Sequence, residues 1–318
     1  LVECVMDSND LEKERGITIL SKNCAVEYDG THINIVDTPG HADFGGEVER
    51  VLSMVDCVCL LVDSVDGPMP QTRFVTMKAF ARGLKPIVVL NKVDRPSARP
   101  HWVMDQVFEL FDNLGATDEQ LDFPVVYASG LNGISGFEAD KLGTDMTALF
   151  QTIIDRVNPP AVDSDGPFQM QISSLDYNSY VGVIGVGRIT RGKVKTNTPV
   201  VIVDSQGKRR NGRILQIMGY HGLTRIEVPE AEAGDIVAIA KVDELHFDAV
   251  LHDAADDDHI HLKPLPLPVI LLFLGRVKVA ICQSLQSVGL SSDCAARGKH
   301  GFADPSQTCP GGLFPVQR

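Results

Sequence analysis

The chain has 318 residues, 44% of them hydrophobic and 22% charged, and a formal net charge of −13. This is the composition of a globular protein of two or three domains, and its acidity argues against simple electrostatic capture of nucleic acid. Seven cysteines without a CxxC pair read as free thiols of a reducing compartment, and the most apolar run, 269–274, falls far short of the ~20 residues a membrane span needs.

Charge is unevenly divided. Residues 1–166 hold 13 Lys+Arg against 27 Asp+Glu, whereas residues 167–241 hold 10 against 6, an acidic part followed by a basic one. The chain opens on Leu1 without a signal peptide, from which a cytoplasmic protein with its start further upstream is expected.

In chain order, residues 6–19 form a polar loop that turns apolar at its end. Within it Thr18, close to Gly16, offers a hydroxyl of the kind that ligates Mg²⁺ beside a terminal phosphate. Residues 19–28 and 31–36 alternate apolar and polar and meet at Asp29-Gly30, which predicts a hairpin. Its second strand ends on Asp37 and turns at Thr38-Pro39-Gly40 into His41. Such a turn is common, yet a carboxylate and free backbone N–H groups at a sheet edge are also what α/β folds use for phosphates and metals.

A helix over 44–54 follows, with Val48, Val51, Leu52 and Val55 as its stripe, and then a buried strand over 57–62 ending on Asp63. The next helix, 70–82, is expected to turn Phe74, Met77 and Ala81 inward and to stop at Gly83. The buried strand 86–90 runs straight into Asn91-Lys92-Val93-Asp94. This is either a polar loop after a strand or a guanine reader. The Asp94 carboxylate can accept both N1–H and N2–H₂ of guanine, a donor pair that adenine lacks; Asn91 would support the loop and the Lys92 stem would lie over the ring.

A helix over 102–114 leads to a short strand, 125–127, and to Ala128-Ser129-Gly130, whose N–H groups are offered to the guanine O6. The helix 145–157 carries Met146, Leu149, Phe150, Ile153, Ile154 and Val157 on one face. Strands and helices that alternate so regularly predict a doubly wound α/β sheet. After the Pro-containing linker 157–166 come short strands at 168–172, 181–189, 199–203, 213–217 and 236–240, the pattern of a small β-barrel. Lys208, Arg209, Arg210 and Arg213 form a basic cluster on one hairpin, a solvated turn or a contact for a nucleic-acid backbone. Beyond Lys241 periodicity is lost; Asp256–Asp258 with His259 and His261 make an acidic loop or a metal site. The expected domains are 1–160, 167–241 and an irregular tail, 242–318.

Taken together, MDSNDLEKERGITI, NIVDTPGHADFGGEVERVLSMVD, GPMPQTRFV and NKVDRP resemble the G domain of translational GTPases of the elongation-factor-G-like group. YASGLNG, GPFQMQISSLDYNSYVGVIGVGRI and EAGDIVAIA are most similar to the TypA/BipA family of ribosome-associated GTPases, over about residues 6–240. The resemblance implies GTP and GDP as ligands with Mg²⁺, Thr18 and Asp37 as metal-binding residues, and Gly40 as a donor to the γ-phosphate. It also implies His41 as the catalytic residue that orients the attacking water, and Asn91, Lys92, Asp94 and Ser129 as guanine-binding residues. The partner it implies is the ribosome, met through rRNA by the basic β-barrel of a monomeric, cytoplasmic protein that crosses no membrane.

Two departures stand out. No G-x-x-x-x-G-K-[ST] phosphate loop occurs in the 318 residues, and residues 241–318 do not resemble the family's later domains. In the family that loop precedes the position of Leu1, so the expected fold is a truncated P-loop GTPase sheet followed by a small β-barrel and an irregular tail. Two functions are therefore weighed: a GTP-hydrolysing ribosome factor, or a catalytically inactive fragment that acts as an RNA- or ribosome-binding module.

Overall fold

The computed structural model describes residues 20–39, 45–242 and 245–256. Thr18, Gly40, His41 and the Asp-His run from 257 onward lie outside these residues, so the roles expected for them are not placed by the fold.

An antiparallel hairpin comes first, β1 (Lys22–Tyr28) and β2 (Thr31–Asp37), in register from Lys22↔Asp37 to Tyr28↔Thr31. Asp29 and Gly30 make its turn with φ of 47° and 72°, the paired positive values that a tight Asp-Gly turn requires. Then follow α1 (Gly45–Leu52), β3 (Cys57–Asp63), α2 (Pro70–Phe80), β4 (Lys85–Asn91), α3 (Pro100–Asn113), α4 (Asp118–Leu121), β5 (Val125–Ser129), β6 (Ile134–Gly136) and α5 (Thr147–Arg156). Strands β3, β4 and β5 are parallel neighbours, and β6 closes one edge antiparallel. The middle of β4 is apolar because both its faces are covered, whereas β3 leaves Cys59 exposed. Val88 and Leu90 of β4 pack on Val103, Val107 and Phe111 of α3, while Ile87 and Val89 pack on Leu149 and Ile153 of α5. The sheet is doubly wound, as its apolar runs predict.

Among the described residues the hairpin is separate from this sheet: β2 pairs with β1 alone, and β3 with β4 alone. Instead the hairpin is fastened to the second half of the chain. Ala25 N–H donates to Gly222 O at 3.1 Å and Gly222 N–H to Ala25 O at 2.9 Å. Ala25 and Met54 join an apolar cluster with Ile184, Val186, Tyr220 and Ala238, and Arg188 grips both carboxylate oxygens of Asp56 at 2.9 and 2.8 Å. The Ser21 hydroxyl donates to Glu47 of α1 at 2.6 Å, Glu47 pairs with Arg50, and the Arg50 guanidinium lies over the Phe247 ring. At its tip, Tyr28 stacks on Phe150 of α5, so this face of α5 meets the hairpin rather than the sheet.

The second half is all β: β7 (Gln169–Asn178), β8 (Gly182–Arg191), β9 (Lys193–Lys195), β10 (Thr198–Val203), β11 (Arg209–Ile214), β12 (Gln216–His221), β13 (Thr224–Glu227), β14 (Glu230–Glu232), β15 (Ile236–Ala240) and β16 (Val250–Asp253). Eight of these form one antiparallel sheet in the order β11-β10-β16-β7-β8-β15-β12-β13, and β9 pairs with β14. Residues from both ends of the sheet, Ile202 and Ile214 as well as Ile217 and Ile239, share one core with Met170 and Leu251, so the sheet curls around it. Among the described residues no ladder closes β11 onto β13.

Three sequence expectations are corrected. The β domain does not end at 241, because β16 lies inside the sheet between β10 and β7. The strand expected over 213–217 is broken at the exposed Leu215, so Ile214 ends β11 and Ile217 belongs to β12. On α2, Met77 is 44% exposed and Ala81 caps the helix; Thr76 and Ala79 are buried instead, the small Ala79 packing with Val48 and Leu52 of α1.

Phe111 is fully buried and meets Phe80 and Phe123 edge-on at 5.0 and 4.9 Å. Phe111→Ala should therefore destabilise the α/β half by about 3–5 kcal/mol, measured as a shift in its urea unfolding free energy.

Candidate nucleotide site

Parallel register builds the site. In the ladder Asn91 is flanked by Asp63 of β3 and Ala128 of β5, so three strand ends deliver their polar residues to one edge of the sheet. Asn91 is buried, and its Oδ1 accepts the Gly130 N–H at 2.9 Å, tying together loops 39 residues apart. Ser129 is fully buried, and its hydroxyl oxygen accepts from the Asn132 amide at 2.9 Å. The Gly130 N–H, one of those the sequence offers to a guanine O6, is thus engaged by Asn91 inside the protein.

Lys92 leaves the strand with φ of 64°, and its ammonium donates to Asp63 Oδ2 at 2.6 Å. Asp63 Oδ1 accepts the Val65 N–H at 2.7 Å. Burial alone would raise the Asp63 carboxyl, but the hydrogen bond from Lys92 and those from the Val65 and Asp66 N–H groups outweigh it. The carboxyl is therefore held below the usual carboxylate range.

The loop after β3 is fastened to the loop after β4. Ser64 N–H donates to Asn91 O at 2.9 Å, Arg99 N–H to Ser64 O at 2.7 Å, and the Arg99 guanidinium to Val65 O at 2.8 Å. That guanidinium stacks over Trp102, 3.9 Å from the ring centroid. Trp102 in turn covers Gly67, where φ is 75° and a Cβ would stand 3.3 Å from the indole. On this braced platform Asp94 is exposed, in a turn closed by Arg95 N–H donating to Lys92 O at 3.1 Å.

The fold thus brings Asn91, Lys92, Asp94 and Ser129 together. Asp37 lies elsewhere, on the hairpin, at the end of β2 and nearly buried. Burial, and after it the Asp37 charge, raises the neighbouring Cys24 thiol. Among the described residues no three His, Cys, Asp or Glu side chains cluster to hold a metal by themselves. A single carboxylate such as Asp37 suits Mg²⁺, which is commonly held by one or two carboxylates together with substrate phosphates. Asp63 is the residue that sequence reasoning missed: it closes an apolar run and its partner lies 29 residues downstream.

Two family models match the chain, the elongation factor Tu GTP binding domain over residues 2–159 and elongation factor Tu domain 2 over residues 182–246. The large ribosomal subunit assembly factor BipA of Escherichia coli K12 is 64% identical over 271 residues, 85% of this chain and 45% of that protein. The chain belongs to the TypA/BipA-like translational GTPases. The BipA of Haemophilus influenzae is 67% identical over 251 residues, 79% of this chain and 41% of its own length. The chain thus spans less than half the length of these curated relatives.

Two solved structures share the fold at 21% identity. One is the translation elongation factor SelB of Methanococcus maripaludis in complex with the GTP analogue GppNHp, with a TM-score of 0.60 over 77% of this chain and 52% of that one. The other is a bacterial selenocysteine-specific elongation factor, with a TM-score of 0.62 over 78% of this chain and 40% of that one. A mixed α/β GTPase-type domain followed by a β-rich elongation-factor domain 2 is the architecture found here.

The lowered Asp63 carboxyl has a pH consequence. In the acid window the unfolded chain binds the proton more readily, so the Asp63–Lys92 pair stabilises the fold fully above the unfolded value of about 3.9 and loses this contribution as pH falls through the native value. The stability difference between wild type and Asp63→Asn, read from urea unfolding, should accordingly be largest near neutrality and shrink on acidification from pH 6 to pH 3.

Proposed function

We propose that this chain is the nucleotide-binding and β-domain portion of a ribosome-associated factor that binds GTP and hydrolyses it to GDP and phosphate. The observation that carries the proposal is the Asn91–Gly130 hydrogen bond, which locks two loops beneath an exposed Asp94. Such an arrangement leaves one carboxylate at the rim to accept the two adjacent N–H donors of guanine, while Asn91 Oδ1, Asp63 and Ser129 below it already have partners. The Lys92 stem would flank the base, and the Ser129 loop would complete its surround.

Thr18 and Asp37 would hold Mg²⁺. When bound, the ion would supply charge neutralisation on the phosphates. The Gly40 N–H would donate to the γ-phosphate, and His41 would orient the water for in-line attack. The protein's contribution is then positioning and electrostatics rather than a covalent intermediate. Release of phosphate would free Thr18 and Gly40 and relax the loops that hold them.

The relatives' name supports the large ribosomal subunit as partner. The basic balance of residues 167–241 supports rRNA as the surface met, with Lys208 and Arg209 exposed at the start of β11. Arg213 contributes less, since its guanidinium donates to Asn197 O at 2.8 Å and caps that turn. A monomer working in the cytoplasm fits this role.

A second reading is favoured by one sequence observation. None of the 318 residues forms a G-x-x-x-x-G-K-[ST] loop, so these residues alone lack that nest of N–H groups for the α- and β-phosphates. Without a phosphate cradle the chain would act at most through its β domain as an RNA- or ribosome-binding module. Titration with fluorescent GDP and GTP in Mg²⁺ separates the two. The 318-residue chain should bind weakly or not at all, and the protein carrying an upstream phosphate loop should bind at micromolar concentration or below. In the latter, Asp94→Asn should lower GDP affinity by on the order of 10²-fold or more, because an amide cannot accept both guanine donors. Equal affinity for GDP and ADP would sink the guanine assignment.

A further inference from the structure

We propose that Asp63 is a positioning residue for guanine-nucleotide binding, acting through Lys92 and never touching the nucleotide itself. This rests on the nucleotide reading above. Lys92 follows the last residue of β4 at a positive φ, and a lysine in a surface loop would ordinarily sample many rotamers around its four-carbon stem. Here it does not. The Asp63 side chain is 2% exposed and that of Lys92 only 13%, with 2.6 Å between ammonium and carboxylate.

Asp63 is itself fixed twice over. Its backbone stands beside Asn91 in the parallel ladder, and its Oδ1 is taken by the Val65 N–H, which leaves Oδ2 for Lys92. Ser64 and Arg99 then fasten the loop that carries these donors to the loop that carries Asp94. The result is a methylene stem stretched between the end of β4 and a buried anion, with its charge neutralised before any ligand arrives. A base laid beside such a stem meets an apolar wall that is already ordered, so little conformational freedom is lost on binding.

A merely structural ion pair predicts something different. Breaking it would lower stability but leave the affinity of the folded protein unchanged. The stem contacts a ring face, whereas Asp94 reads the ring edge. The effect of Asp63 should therefore be the same for GDP and for inosine diphosphate, which lacks the guanine 2-amino group.

The test is a double-mutant cycle in the protein expressed with its upstream phosphate loop, with equilibrium titration of GDP and inosine diphosphate and thermal unfolding of every variant. Asp63→Asn should weaken both ligands by about three- to tenfold, the factor expected for immobilising one flexible side chain. The ratio of the two affinities should stay unchanged, and the loss should vanish in the Lys92→Met background. Asp63→Ser is read alongside, so that poor folding of one variant does not decide the matter. Affinity within twofold of wild type in a folded Asp63 variant would overturn the proposal. So would a loss that persists without Lys92, or a collapse of the ratio between the two ligands. Failure of the wild-type protein to bind GDP at all would overturn the nucleotide reading itself, an outcome distinct from these.

Discussion

The register of three parallel strands is the constraint on which the site depends. Asp63, Asn91 and Ala128 stand side by side in the ladder, and a slip of one residue in either pairing would turn one of the polar ends to the opposite face of the sheet. What holds the register is the apolar filling on both faces. Val88 and Leu90 can face α3 only if Ile87 and Val89 face α5, and Asn91 then emerges at the edge with its side chain toward Gly130. Packing sets the positions, and the polar groups exploit them.

Most of the polar groups buried at that edge find partners, the Ser64 hydroxyl being an exception among the described residues. Asn91 accepts from Gly130, Asp63 accepts from Lys92 and Val65, and Ser129 accepts from Asn132. An incomplete set would be expensive, since a buried carboxylate without its cation faces a desolvation penalty of several kcal/mol. The loops after β3 and β4 therefore behave as one piece. Arg99 adds a third fastening from the far side of the β4–α3 connection, and its stacking on Trp102 keeps the guanidinium in place.

Much of the α/β half was legible because its strands are continuous apolar runs and its helices carry distinct stripes. Asn91, Lys92 and Asp94 could be named from their spacing at the end of such a run. Asp63 could not, because its significance lies in a partner 29 residues away that only the parallel ladder brings near. The buried face of α2 is hidden from sequence for a related reason. A helix with alanine, threonine and methionine around its circumference presents no clear stripe, and the close approach of α1 selects the small Ala79. In the β half, β9, β13 and β14 are three or four residues long and mostly exposed, below what alternation can mark. Strand β16 follows a stretch without periodicity, and its place in the sheet is decided by partners some fifty to eighty residues earlier.

Among the described residues the hairpin and the four-stranded sheet are separate, and each is fastened to the β domain on its own. Asp37 rides on the hairpin, and the hairpin exchanges backbone hydrogen bonds with Gly222 of the β domain. Asn91 and Asp94 ride on the other body, which touches the β domain through Met54 and the Asp56–Arg188 pair. The two are also joined directly, by Tyr28 stacked on Phe150 and by Ser21 donating to Glu47, so hairpin, sheet and β domain close a ring of contacts in which moving any one strains the other two.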